Sequence, residues 1–326
     1  MKKQYAGSVR AGELVNDIFV LSEKNISQKK DGSDYINVLL SDKTGKLKGV
    51  AWDNVDKISA DKNPGDFVHV KGSISEYKGA LQIVIKDMEN ISSDSIEPSD
   101  FLPSTKQNID LMFERLLKLS GSIEEKNLKA LLDAFWADNK FVENFKIAPA
   151  AKKMHHAYSG GLLEHTLSMA LLADKIAGHY IGIDRDLLIV GTILHDIGKI
   201  REFVYKYSID YSDEGRLLSH IVIGIGMLDE KIKTIKEFPE TLAVLLRHMI
   251  VSHHGTREFG SPEPPKTIDA VLLNYIDEID SKISGIRDYI SSDDAGGNWT
   301  SYHRLLGRHF YTANNNMQNK EDEISE

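Results

Sequence analysis

At 326 residues, with 41% hydrophobic and 27% charged residues, the chain has the composition of a globular protein and the length for two cores rather than one. It has no cysteine, which excludes a disulfide framework and a thiolate metal site and leaves twelve histidines, with Asp and Glu, as the strong metal ligands. The net charge of −9 argues against a uniformly basic nucleic-acid binder, but the first 92 residues carry 14 basic against 13 acidic residues, so the acidity lies downstream.

The N-terminus is charged without an apolar run behind it, and no later stretch reaches the length needed to cross a bilayer. A cytoplasmic location and no membrane partner are therefore expected. Residues 18–21, 35–40, 47–52, 67–72 and 81–85 show the alternation and β-branched content of strands. Turn signals at Lys30-Asp31-Gly32-Ser33 and Asp42-Lys43-Thr44-Gly45 separate the first three, and a short helix is expected at 54–59. Five short strands with a helix between the third and fourth match an OB-fold, a partly open β-barrel whose face binds oligonucleotides. Tyr35, Trp52 and Tyr77, with Lys46, Lys48, Lys71 and Lys78, are candidates to stack bases and follow phosphates, although ordinary barrel packing competes for each aromatic.

The expected organisation is an OB-fold over residues 1–92, a linker over 93–108 marked by serines, Pro98 and Pro103, an all-α domain over 109–313 and a disordered polar tail over 314–326. In the second domain the hydrophobic period is helical, with helices expected at 162–177, 186–197, 218–233, 241–252 and 267–290.

Several polar residues in these helices lie in apolar surroundings. His195 and Asp196 close an almost wholly apolar helix, where a carboxylate is costly unless something positive meets it. A lone His-Asp pair is most simply a buried hydrogen bond between helices. Here, however, His165 lies early in the preceding helix, His220 opens the next, His253-His254 end another, and Asp277 sits within the apolar-polar run 272–280. Facing helices of a bundle can bring such side chains to one interior point. Five histidines and two aspartates exceed the needs of one ion, so two divalent ions are expected, with Asp196 as the shared carboxylate. The nitrogen and oxygen donors suit Mn²⁺, with Fe and Zn²⁺ as alternatives, better than Ca²⁺. Such a centre predicts phosphoester hydrolysis.

The ordered set His165, His195-Asp196, His220, His253-His254 and Asp277 resembles the HD-domain metal-dependent phosphohydrolases. The specific parts are Leu194-His195-Asp196-Ile197-Gly198-Lys199 and the upstream Leu163-Glu164-His165-Thr166. The stretch 148–158, running into Gly160-Gly161-Leu162-Leu163-Glu164-His165 behind an OB-fold, further resembles the YhaM-type 3′-5′ exoribonucleases over roughly residues 12–308. That resemblance implies His165, His195, Asp196 and Asp277 on one ion, and Asp196, His220 and one or both of His253 and His254 on the other. Asp280, three residues from Asp277 on the same helical face, competes for its role. Lys199 is implied as a catalytic group beside Asp196, binding phosphate or stabilising charge; a helix C-terminal lysine answering the dipole is the alternative. His155 and His156 are candidates to reach the scissile phosphate or 3′-terminal ribose, with packing or capping as the alternative. His248 falls off the ligand face, and Arg247 and Arg257 are candidate phosphate contacts held against simple solvation.

The implied function is a metal-dependent 3′-5′ exoribonuclease acting on single-stranded RNA, with single-stranded DNA as a further candidate and homo-oligomerisation left open. Two other readings stand beside it at this point. One is a phosphohydrolase of mononucleotides or cyclic nucleotides; the other is a non-enzymatic single-stranded nucleic-acid-binding module with a structural metal site.

Overall fold

A computed structural model describes residues 2–29, 31–77, 79–92, 96–97, 100–152, 156–205, 208–293, 295 and 297–312. Two of the candidates, Lys78 and His155, lie outside the described residues.

The N-terminal strands are β1 (Leu14–Gln28), β2 (Asp34–Asp42), β3 (Gly45–Ala51), β4 (Phe67–Tyr77) and β5 (Ala80–Asn90), with α1 (Val55–Ser59) between β3 and β4. This is an OB-fold, but its barrel is closed, in the order β1-β2-β3-β5-β4, where a partly open one was expected. The length of β1 closes it: residues 20–28 pair with β2, while residues 14–20 pair with β4. The strand alternation sends Val15, Phe19, Leu21, Ile36, Val38, Leu40, Val68, Val70 and Ile83 inward to one core.

The following domain is helical: α2 (Ile109–Gly121), α3 (Lys126–Trp136), α4 (Asn139–Ile147), α5 (Gly161–Ala177), α6 (Arg185–Leu194), α7 (Lys199–Glu202), α8 (Asp213–Ile232), α9 (Glu240–Ser252) and α10 (Ile268–Ser292). It is not purely α, because β6 (Phe203–Val204) and β7 (Asp210–Tyr211) pair as a small hairpin between α7 and α8. Strands of two residues carry no alternation that a sequence can display. No helix among the described residues is long and apolar enough to cross a membrane.

Helix α6 is the hub. Every residue from Leu187 to Leu194 is buried, and the helix packs against α3, α5, α9 and α10. Asp184 caps its start by accepting the Leu187 N–H at 3.0 Å. It ends at Leu194, three residues short of the expected position, so His195 and Asp196 lie in the turn that follows. Gly198 fixes that turn: a Cβ there would lie 1.9 Å from the His220 carbonyl oxygen and 2.7 Å from the Gly224 nitrogen. The turn and α8 therefore meet backbone to backbone. Replacing Gly198 with Ala is expected to destabilise the helical domain by about 3 kcal/mol, the upper part of the overpacking range, because neither contact is a flexible side chain. A melting temperature within about 2 °C of the wild type would contradict that contact.

Helix α8 also differs from expectation. It begins at Asp213 rather than Leu218, and is broken at Ser219, whose φ of 59° and ψ of 163° lie where glycine is at home. The long apolar run then starts at His220. A non-glycine residue in this conformation persists only where its neighbours hold it, and here they hold the residue preceding a candidate ligand.

Candidate metal centre

The two elements that carry His195-Asp196 and His253-His254 share a local design. Each histidine directly ends an apolar helix, and its Nδ1–H donates back into that helix: His195 to the Thr192 carbonyl and His253 to the Ile250 carbonyl, both at 2.7 Å. A carbonyl can only accept, so Nδ1 carries the proton and Nε2 is left with a lone pair. His220 is held by a carboxylate, with both its backbone N–H (2.9 Å) and its Nδ1 (3.0 Å) on Glu202 Oε1. His165, on α5, has its Nδ1 2.8 Å from Asp280 Oδ2. All four rings are thus pinned through Nδ1, and all four turn Nε2 inward.

Asp196 is what they turn toward. Its Oδ2 lies 3.2 Å from His195 Nε2 and 3.7 Å from His165 Nε2. Its Oδ1 lies 3.6 Å from both His220 Nε2 and His253 Nε2. Asp277 joins the first side, with Oδ1 3.4 Å from His165 Nε2. His254 joins the second: donor atoms of His220, His253 and His254 all lie within 4.8 Å of one another, as do those of His165, His195 and Asp277. Sequence favours Asp277 over Asp280 because it follows the apolar Tyr275-Ile276; the geometry puts them at opposite nitrogens of His165, Asp277 at Nε2 and Asp280 at Nδ1.

The donors are also unsatisfied. His195 Nε2, His220 Nε2, His253 Nε2, Asp196 Oδ1 and His254 Nδ1 are buried without a hydrogen-bond partner among the described residues. Buried polar atoms are almost always bonded, and a half-satisfied network is costly. Four such imidazole nitrogens around one carboxylate, with His195, His253 and His220 pinned from behind by Thr192, Ile250 and Glu202, fit the shell of a metal site, in which outer partners set tautomer and ring orientation.

Among family comparisons, the HD domain matches residues 162–282 and an OB-fold nucleic acid binding domain matches residues 22–91. A helicase family also matches 94–183, a stretch without the G-x-x-x-x-G-K-S/T phosphate loop. The curated 3′-5′ exoribonuclease YhaM of Geobacillus sp. (strain WCH70) is 31% identical over 301 residues, 92% of either chain. Its counterpart from Bacillus subtilis (strain 168) is 31% identical over 84% of this chain and 86% of its own, and one from Listeria monocytogenes (serotype 4b, strain CLIP80459) is 32% identical over 84% and 87%. This chain belongs to the YhaM family of 3′-5′ exoribonucleases. It is a hydrolase, and its HD domain implies dependence on divalent metal.

In this YhaM-family centre the charges are mutually arranged. Burial opposes ionisation of Asp196, but Lys199, His195 and His220 hold its carboxyl well below the usual range. Lys199 opens α7 and places its ammonium 2.6 Å from Asp196 Oδ2, among the clustered donors. Burial opposes protonation of His165 as well, yet Asp277 and Asp280 push it up to about 9. His253 and His254 are held low by burial and by neighbouring imidazoles, which keeps them neutral, the form that ligates.

His156 is buried, with Nδ1 2.8 Å from the Tyr158 hydroxyl and Nε2 3.2 Å from Asp280 Oδ2. It supports the outer side of His165. Asp280 also accepts the Ser168 hydroxyl, and Tyr158 donates to Glu164 at 3.0 Å. His248 faces away, its Nε2 accepting the Lys266 N–H at 2.8 Å. Arg247 pairs with Asp229 and Glu240, and Arg257 with Glu263, so both guanidiniums are engaged by carboxylates outside the centre. Sequence reading missed Glu202. Its signal was an acid wedged in the run Ile200-Arg201-Glu202-Phe203-Val204, six residues after Asp196.

On the barrel, Tyr35 and Trp52 stack with centroids 5.0 Å apart at 23°, and Trp52 is 43% exposed. Lys29, not singled out from sequence, places Nζ 5.7 Å from the Trp52 ring and donates to the Trp52 carbonyl at 3.0 Å. Lys48 is exposed on β3, registered with Leu39 and Gln82, and lines a shallow groove with Tyr77, Ala80 and Leu81. Lys71 stands apart, registered with Asp87 across β4 and β5.

Proposed function

We propose that this protein removes nucleotides from the 3′ end of single-stranded RNA at two divalent ions, of which Mn²⁺ is the natural resident. The observation that carries the dinuclear reading is Asp196: its Oδ2 lies near His195 and His165 and its Oδ1 near His220 and His253, while Asp277 clusters with the first pair and His254 with the second, the two sets meeting at His195, Asp196 and His253. Bound there, the ions would supply a nucleophile at neutral pH and neutralise charge on the phosphate. Asp196, Asp277 and the imidazoles of His165, His195, His220, His253 and His254 would hold the ions, and the Lys199 ammonium beside Asp196 would stabilise charge on the phosphate. His156 acts one layer out, through Asp280, rather than on the ribose.

The barrel face supports RNA as substrate. The stacked pair Tyr35–Trp52, with Lys29 and Lys48, offers ring faces and positive charge to a single strand. Incubating the protein with 5′-labelled single-stranded RNA and Mn²⁺ is expected to give a ladder of shortening products. Release of phosphate from mononucleotides with RNA left intact would replace this reading with the small-nucleotide one. Single-stranded DNA, which shares the stacking faces and the phosphodiester, is expected to be cut in the same assay. Trp52→Ala is expected to raise KM for RNA about tenfold, since one base stack contributes roughly 1–3 kcal/mol; an unchanged KM would remove Trp52 from the binding face.

A further inference from the structure

The segment 297–312 follows α10 and contains no acidic residue, in a chain of net charge −9. It holds Arg304, Arg308, two histidines and the aromatics Trp299, Tyr302, Phe310 and Tyr311. Backbone hydrogen bonds from Thr300 to Phe310 (2.9 Å), Thr312 to Asn298 (2.8 Å) and His303 to Arg308 (2.8 Å) make it an antiparallel hairpin, and Gly307 at φ 64° turns the tip.

The hairpin is part anchored and part exposed. Thr300 is buried, and the His303 and Phe310 rings pack on Tyr289 of α10 at 4.4 and 6.3 Å, while the Tyr289 hydroxyl donates to the Ser301 carbonyl at 2.9 Å. Apart from that anchor stand two cross-strand ring pairs, Trp299 with Tyr311 (5.0 Å) and Tyr302 with His309 (5.3 Å). Trp299, Tyr302 and Tyr311 remain 54–56% exposed, and Arg304 and Arg308 are exposed at the tip. Asp293, at the end of α10, accepts the Ser301 N–H at 2.9 Å.

We infer that this hairpin is a second contact for single-stranded RNA, separate from the barrel face and borne by the helical domain itself. Exposed ring faces interleaved with arginines, free of acids, are complementary to a polyanion that carries bases to stack. The anchor supports this. Helix α10 carries Asp277, and Tyr289 lies twelve residues further along it, roughly 18 Å at helical rise. A strand lying on the hairpin is thus referenced to the catalytic centre by one helix.

This inference rests on the exoribonuclease reading, and the test separates the two. In the full chain, the pair Trp299→Ala/Tyr311→Ala is expected to raise KM for a long RNA about tenfold and to narrow its advantage over a dinucleotide. The pair Arg304→Ala/Arg308→Ala is expected to reduce the slope of log KM against log salt by about 1.4, two phosphate contacts on a single strand. The arginine pair keeps the test decisive should the aromatic pair lower the melting temperature. Unchanged KM and unchanged salt slope in both variants, with RNA still degraded, would overturn the hairpin contact and leave the activity standing. Loss of a dimer on sedimentation with KM unaltered would assign the surface to a second copy of the chain and overturn it likewise. RNA that binds through the hairpin but stays uncut would sink the exoribonuclease reading alone.

Discussion

Asp196→Ala is expected to lower the rate of RNA hydrolysis by at least about 10⁴-fold. Each ion held there would contribute several kcal/mol of charge stabilisation, 1.36 kcal/mol is a factor of ten, and Asp196 places an oxygen near both donor sets. Metal content should fall with activity. The substitution also strands the Lys199 ammonium, whose partner lies 2.6 Å away at a largely buried position, and breaking such a pair costs about 3–5 kcal/mol. Lost activity could then be blamed on lost fold. Lys199→Met added to Asp196→Ala removes the stranded charge and is expected to recover melting temperature but not hydrolysis. A single variant that kept more than about 1% of the rate with two ions still bound, measured by single-turnover kinetics and elemental analysis, would deny Asp196 its bridging role.

The second large effect separates Asp277 from Asp280. Asp277 faces His165 Nε2 at 3.4 Å, so Asp277→Ala is expected to cost one ion and about 10³-fold in rate. Asp280 sits behind the ring, on Nδ1 at 2.8 Å, where it also meets His156 and Ser168. Asp280→Asn keeps an acceptor there and is expected to weaken metal affinity by about 10- to 100-fold, the usual cost of losing an outer partner. Excess Mn²⁺ should therefore restore the Asp280 variant and leave the Asp277 variant inactive. The opposite pattern of rescue would exchange the two roles.

Much of this molecule could be read along the chain because the signals are local. Alternation with period two gave away the barrel strands, helical period gave away α5, α9 and α10, and the residue types His165, His195, Asp196, His220, His253, His254 and Asp277 identified themselves as polar groups in apolar surroundings. Those features depend on neighbours within a turn or two. Tertiary structure alone decided the rest. Nothing in the apolar run 187–197 marks where α6 stops; Gly198 stops it by touching α8, more than twenty residues away in sequence. Asp277 and Asp280 are indistinguishable by spacing, and only the ring of His165 between them tells inward from outward. Barrel closure depends on β1 pairing with two strands at once, and the ring pairs of residues 297–312 exist only once the hairpin folds. Sequence determined which groups are available for chemistry, since composition and periodicity are properties of short stretches. Which atom of each group faces inward was decided by long-range backbone contacts, because orientation is set by whatever packs against the far side of the ring.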